Sequence, residues 1–168
     1  MILVTVGTHE QPFDRLVEAA AALGGDEHLI VQYGTSKIAH GRGEWVDFMS
    51  FDELAEYARR ARVVVSHAGV GSIVVARRYG HRPIIMPRRP RFGEHVDEHQ
   101  MQLTRRLAEA GIVTVVEDAE QLAAAVLAPP AVPAPDGRTA LSGPSALSAD
   151  VREVLIGLGA ARISARAA

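Results

Sequence analysis

A chain of 168 residues that is 48% hydrophobic has enough apolar mass for one domain with a sizeable core. Its formal net charge of −2 gives no electrostatic case for nucleic acid, whose binders present a basic face. Without cysteine there is no disulfide frame, thiol nucleophile or thiolate metal site, which suits a reducing compartment.

The apolar start, residues 1–6, lacks a basic leader and reaches Gly7 too soon for a signal peptide. No apolar run approaches the ~20 residues that span a bilayer, so the expectation is a soluble chain that meets membranes through a partner. Residues 2–6 read as a buried strand, followed by the loop Gly7-Thr8-His9-Glu10-Gln11-Pro12. Phe13, Leu16, Val17, Ala20 and Leu23 then mark one helical face, ended by Gly24-Gly25. Residues 28–33 form a second strand, and residues 45–49, reached through Gly41-Arg42-Gly43, a third. Ser50 and Glu53 have the spacing of a capping box ahead of a helix whose apolar face is Phe51, Leu54, Ala55 and Ala58.

Next comes the most informative stretch, Val63-Val64-Val65-Ser66-His67-Ala68-Gly69-Val70-Gly71-Ser72. Its β-branched opening suits a buried parallel strand, and a helical run from Ile73 to Tyr79 follows the glycines. Such a turn gathers backbone N–H groups and the positive end of a helix dipole, which favours an anion such as a diphosphate. Side chains at Gly69 and Gly71 would block close approach or forbid positive φ, and Ser72 can cap the helix or donate to a phosphate oxygen. His67 stands at the strand end, facing the same crevice. Any strand-to-helix turn can also carry glycines and a serine for purely structural reasons.

Gly80-His81-Arg82-Pro83 breaks that helix, residues 84–86 form a short buried strand, and residues 88–93 a basic loop whose Arg88, Arg89 and Arg91 read first as solvated and otherwise as partners for a diphosphate or an anionic lipid. Residues 95–110 can form a helix closed by Gly111. Residues 113–116 give another strand, and Asp118 and Gln121 repeat the capping spacing before a last helix of the domain. Strands alternating with helices predict an α/β fold, a Rossmann-like three-layer sandwich around a mostly parallel sheet, with its ligand crevice beyond the carboxyl ends of the strands. Residues 1–127 make this domain; residues 128–147, rich in Pro, Ala, Gly and Ser, read as a flexible linker, and residues 148–168 as a tail with one amphipathic helix.

Three runs together resemble the C-terminal domain of family 28 glycosyltransferases, the nucleotide-sugar-binding half of a GT-B enzyme. They are Ser66-His67-Ala68-Gly69-Val70-Gly71-Ser72, then Gly80-His81-Arg82-Pro83-Ile84-Ile85-Met86-Pro87, then Glu94-His95-Val96-Asp97-Glu98-His99-Gln100. The opening residues 4–13 resemble those of its free-standing members, which supply the donor-binding subunit of two-part transferases such as those of dolichol-linked N-acetylglucosamine transfer and bacterial exopolysaccharide assembly. The resemblance implies a UDP-sugar donor with no cofactor and no metal, the diphosphate being neutralised by amides and a helix end. It brings Gly7 and Thr8 toward the phosphates from one loop, and His67, Ala68, Gly69, Val70, Gly71 and Ser72 from the other. It gives Gln100, with His99 beside it, the sugar hydroxyls. Many relatives place a ribose-binding glutamate where Val75 stands here, which leaves Glu94 and Asp97 as hypotheses for the ribose.

The resemblance further implies an inverting hexosyltransferase acting on a lipid-linked glycan, completed by a membrane-anchored, acceptor-binding subunit at the cytoplasmic face of a membrane. His9 and Glu10 are candidates for the general base, or are plain loop residues. A non-catalytic nucleotide-binding regulatory module on the same fold is the alternative. His95 and His99, spaced i, i+4, lack an evident third ligand for a metal. A nicotinamide-binding dehydrogenase is disfavoured because a single glycine follows the first strand.

Overall fold

The computed structural model describes residues 1–37, 41–94 and 99–129; the linker beyond residue 129 and the tail lie outside them. Six strands, β1 (Ile2–Thr5), β2 (Leu29–Gln32), β3 (Glu44–Val46), β4 (Val63–Ser66), β5 (Ile84–Ile85) and β6 (Thr114–Val115), form one sheet. Every pairing is parallel and the order is β3-β2-β1-β4-β5-β6. The helices are α1 (Asp14–Ala21), α2 (Phe51–Arg60), α3 (Val70–Arg78), α4 (His99–Glu109) and α5 (Ala119–Leu127). The expected α/β class and Rossmann-like sheet are therefore found, with all six strands parallel rather than most.

Parallel strands are covered on both faces, which is why they read as unbroken apolar runs. Alternation within those runs sends Ile2, Val4, Leu29, Val31, Val63 and Val65 toward Phe13, Leu16 and Val17 of the α1 side and Leu122 and Val126 of α5. Leu3, Ile30 and Val64 point the other way, into a cluster with Ala58 of α2 and Val75 and Ala76 of α3. Ile85 and Val113 extend this second face toward Ile73 and Leu107, which brings in α4. The result is three layers with the sheet in the middle.

Local signals set the helix ends. Ser50 accepts from the Glu53 amide while the Glu53 carboxylate accepts from the Ser50 amide, completing the expected capping box on α2. Asp118 caps α5 through the Gln121 amide, and the Gln121 side chain reaches back to the Glu117 amide. Phe51 departs from its expected place on the apolar face of α2: it is 63% exposed, because it occupies the first turn, ahead of the residues that reach the sheet.

Candidate active-site crevice

In this strand order the chain winds outward from β1 through β2 to β3, and from β4 through β5 to β6 in the other direction. The switch lies between β1 and β4, where an open parallel sheet leaves a crevice at its carboxyl edge. Thr5 pairs with Ser66 at the ends of these strands, and Gln32 lies across from Thr5 on β2. Thr5, Gln32 and Ser66 are all buried and make a polar row under the crevice floor.

That row fixes the first loop. The Gln32 amide nitrogen donates to the Gly7 carbonyl at 3.0 Å and to the Asp47 carbonyl at 3.0 Å. Its oxygen accepts from Thr5 Oγ1 at 2.7 Å and from the Gly7 amide at 3.1 Å. Gly7 therefore already has a partner for its N–H, which removes it from the set of amides that reach a phosphate directly. Its φ of +77° supplies the turn, and its missing side chain leaves room for His67. Thr8 is exposed just beyond it.

The second loop meets the first through that histidine. The His67 amide donates to the Thr5 carbonyl at 3.2 Å, locking the end of β4 to the end of β1. A Cβ built on Gly7 would fall 2.3 Å from His67 Cε1, and one built on Gly69 would fall 2.1 Å from Nε2. The imidazole is thus clamped between two glycines, with Ser66 Oγ 3.4 Å from Nδ1. Gly69, at φ −76°, is required by this contact and not by positive φ.

Helix α3 begins at Val70, earlier than the sequence suggests, with Gly69 as its N-cap and no side-chain cap. Ser72 is consequently not the cap: it lies buried inside the first turn. The first helical amide with a carbonyl one turn earlier is that of Ile73, bonded to Gly69 at 3.1 Å, so Val70, Gly71 and Ser72 present the orphan amides of a helix start. No acidic residue occupies that turn. The positive end of the dipole is left for an external anion. Gly71 is exposed, and a Cβ there would meet nothing of this chain. Ala68, by contrast, is buried in the core with Ile73 and Ile85.

The loop after β5 closes the site from the far side, through residues the sequence did not single out for that role. Arg88, expected in solvent, is 1% exposed. Its guanidinium donates to the carbonyls of Val6, Gln11, Pro12 and Glu94, and stacks over Phe13 at 4.6 Å. Burial lowers its pKa to about 10, and it remains a cation at neutral pH. Arg88 thereby straps the Gly7–Pro12 loop to the β5–α4 connection. Glu94, a hypothesis for the ribose, is also buried, and its carboxylate is held by Arg15 at 2.9 and 3.1 Å and by the Arg89 amide at 2.9 Å. These bonds give Glu94 a loop-fixing role. Arg15, from α1, also donates to the carbonyls of Pro87 and Glu117. Val75 lies in the core beside Leu3 and Val64 and offers a ribose nothing.

Of the remaining candidates, His99 and Gln100 start α4. Asp97 and His95 fall outside the described residues, as does the His95–His99 pairing. Among the described residues no cluster of three His, Asp or Glu side chains could hold a metal. Glu10 is exposed, and its carbonyl accepts from Thr35. His9 Nδ1 accepts from the Gln11 amide at 3.3 Å, which places the proton of the neutral ring on Nε2.

These features define a doubly wound α/β domain with an uncapped helix end at its switch point. The chain belongs to glycosyltransferase family 28: the family's C-terminal domain matches residues 1–130. It is also 30% identical over 122 residues to the UDP-N-acetylglucosamine transferase subunit ALG13 of Yarrowia lipolytica (strain CLIB 122 / E 150), a match taking in 64% of this chain and 60% of that protein. The domain is one half of a GT-B architecture, and no described helix is long and apolar enough to cross a membrane.

Proposed function

We propose that this chain is the donor-binding subunit of a glycosyltransferase that moves a hexosyl group, with inversion, from a UDP-sugar to a lipid-linked glycan. The observation that carries this reading is the uncapped start of α3, set against His67 at the switch point of a family 28 domain. The amides of Val70, Gly71 and Ser72 would receive the diphosphate, with Thr8 on the opposite rim and His99 and Gln100 toward the sugar. As the glycosidic bond breaks, negative charge grows on the departing UDP, and fixed dipoles stabilise that charge most in the transition state. The helix end supplies them without a metal or other cofactor.

Inversion needs one base to take the proton of the attacking hydroxyl. Glu10, exposed on the loop after β1, and His9 beside it are our candidates. A membrane-anchored partner would bring the acceptor at the cytoplasmic face, as in exopolysaccharide assembly. The name of the similar protein, a transferase subunit, supports a partner, as do Phe48 and Phe51, 62% and 63% exposed just beyond β3. The tail at residues 148–168 is a further candidate for that contact.

Titration with UDP tests the proposal. Binding and a raised melting temperature are expected for the wild type. The buried Val75 and the engaged Glu94 favour a second reading, a regulatory module without transferase activity, because they leave the ribose without a carboxylate from either position. Absence of heat and of a melting shift at millimolar UDP would select that reading.

A further inference from the structure

A second basic feature lies in the connection between β5 and α4. The 3-10 turn Pro90–Phe92 and the outer side of α4 enclose a hollow of about 330 Å³, lined by Arg89, Pro90, Arg91, Met101, Gln102 and Arg105. Three arginines thus line one small volume in a chain whose formal net charge is −2. Glu117 pairs with Arg89, while among the described residues no carboxylate pairs with Arg91 or Arg105. Arg89 Nε is buried and has no hydrogen-bond partner.

The wall of the hollow is rigidly held. Arg88 anchors its base through four backbone carbonyls, and the Glu94 carboxylate grips the Arg89 amide and Arg15 together. Such positioning keeps like charges close before any ligand arrives, an arrangement that an arriving anion relieves. We propose that this hollow binds a phosphate group, at a site separate from the end of α3. The inference does not depend on the transferase reading.

The rim bears on the source of the phosphate. Phe92 is 54% exposed, with the guanidinium groups of Arg15 and Arg91 over its ring. An exposed aromatic ring beside a phosphate site suits a phosphate attached to an apolar body, as at the surface of an anionic bilayer, more than one free in water.

The test uses the full chain, its R91Q/R105Q variant and an R59Q/R60Q control on α2. Co-sedimentation is measured with vesicles of phosphatidylglycerol and phosphatidylcholine, or of phosphatidylcholine alone, beside calorimetric titration with inorganic phosphate. The wild type is expected to sediment with the anionic vesicles, R91Q/R105Q to lose about twenty-five-fold in affinity, at a factor of about five per arginine, and the control to match the wild type. Binding of inorganic phosphate without vesicles, lost in R91Q/R105Q, upholds the site and assigns it a soluble source. Failure of both ligands to bind overturns the proposal, and so does an equal loss in both variants, which would reduce the effect to net charge. UDP titration of R91Q/R105Q separates the two sites: unchanged affinity is expected, and its loss would merge the hollow with the α3 crevice and refute a separate site.

Discussion

At the scale of single residues, the crevice is decided by the space around one imidazole. His67 occupies volume that Gly7 and Gly69 leave open from two different loops, so each glycine is coupled to the histidine. Gly69→Ala sets a methyl group 2.1 Å from Nε2 if nothing moves, and the ring must swing out of the clamp. The expected result is a loss of about 1–3 kcal/mol in stability by urea unfolding, with weaker UDP binding. Adding His67→Ala removes the clash, so the double variant should lose less than the sum of the two single changes. Strict additivity would show that ring and glycine do not touch. This contact was only half legible in the sequence, where Gly69 and His67 stood out as a motif serving a ligand. The residues that hold the loops were not legible at all. Gln32 reads as a polar end to an apolar strand, and Arg88 as a charge in a proline-flanked loop; only the strand order brings Gln32 to Gly7, and Arg88 to Val6 and Pro12.

At the scale of elements, α3 faces the crevice with a bare end, whereas α2 and α5 carry side-chain caps. A cap satisfies the orphan amides and contributes about 1 kcal/mol, so its absence on α3 leaves donors for something else. Gly71 distinguishes a ligand's claim on that end from a structural one. A Cβ there meets open space and removes glycine's backbone entropy, so Gly71→Ala should raise the melting temperature slightly, the gain being below about 1 kcal/mol. Gly71→Val, also folded, should bind UDP more weakly, because the branched side chain enters the volume assigned to the diphosphate. Equal UDP affinity in Gly71→Val and wild type would remove the diphosphate from this helix end. The elements themselves were largely readable: runs of Val, Ile and Leu gave the strands, and Ser50–Glu53 and Asp118–Gln121 the helix starts. The start of α3 was read too late because Ser72 looks like a cap, whereas the chain turns helical as soon as His67 has cleared Gly69.

At the scale of the whole molecule, the carboxyl edge of the sheet holds the candidate crevice while the opposite edge carries a tie. There the Glu27 carboxylate accepts from the Met1 ammonium at 2.6 Å and from Arg62 at 2.6 to 3.1 Å, and Arg62 also donates to the Val126 carbonyl at the end of α5. One acidic group thus joins the starts of β1, β2 and β4, and through Arg62 the end of α5. The hydrogen bonds from Arg62, followed by those from the amino terminus, lower the Glu27 pKa from 4.5 to about 2. A carboxylate whose folded pKa lies below its unfolded one binds fewer protons when folded. Its contribution is therefore complete above about 4.5 and is lost as the pH falls toward about 2. Arg62 is 42% exposed, so water screens the pair, and Glu27→Gln should cost about 1–2 kcal/mol at neutral pH. Urea unfolding of wild type and variant across this acid range should show their midpoints converging as the carboxylate is protonated. A gap that stayed constant down to the lower limit would mean that Glu27 acts through packing and not through its charge.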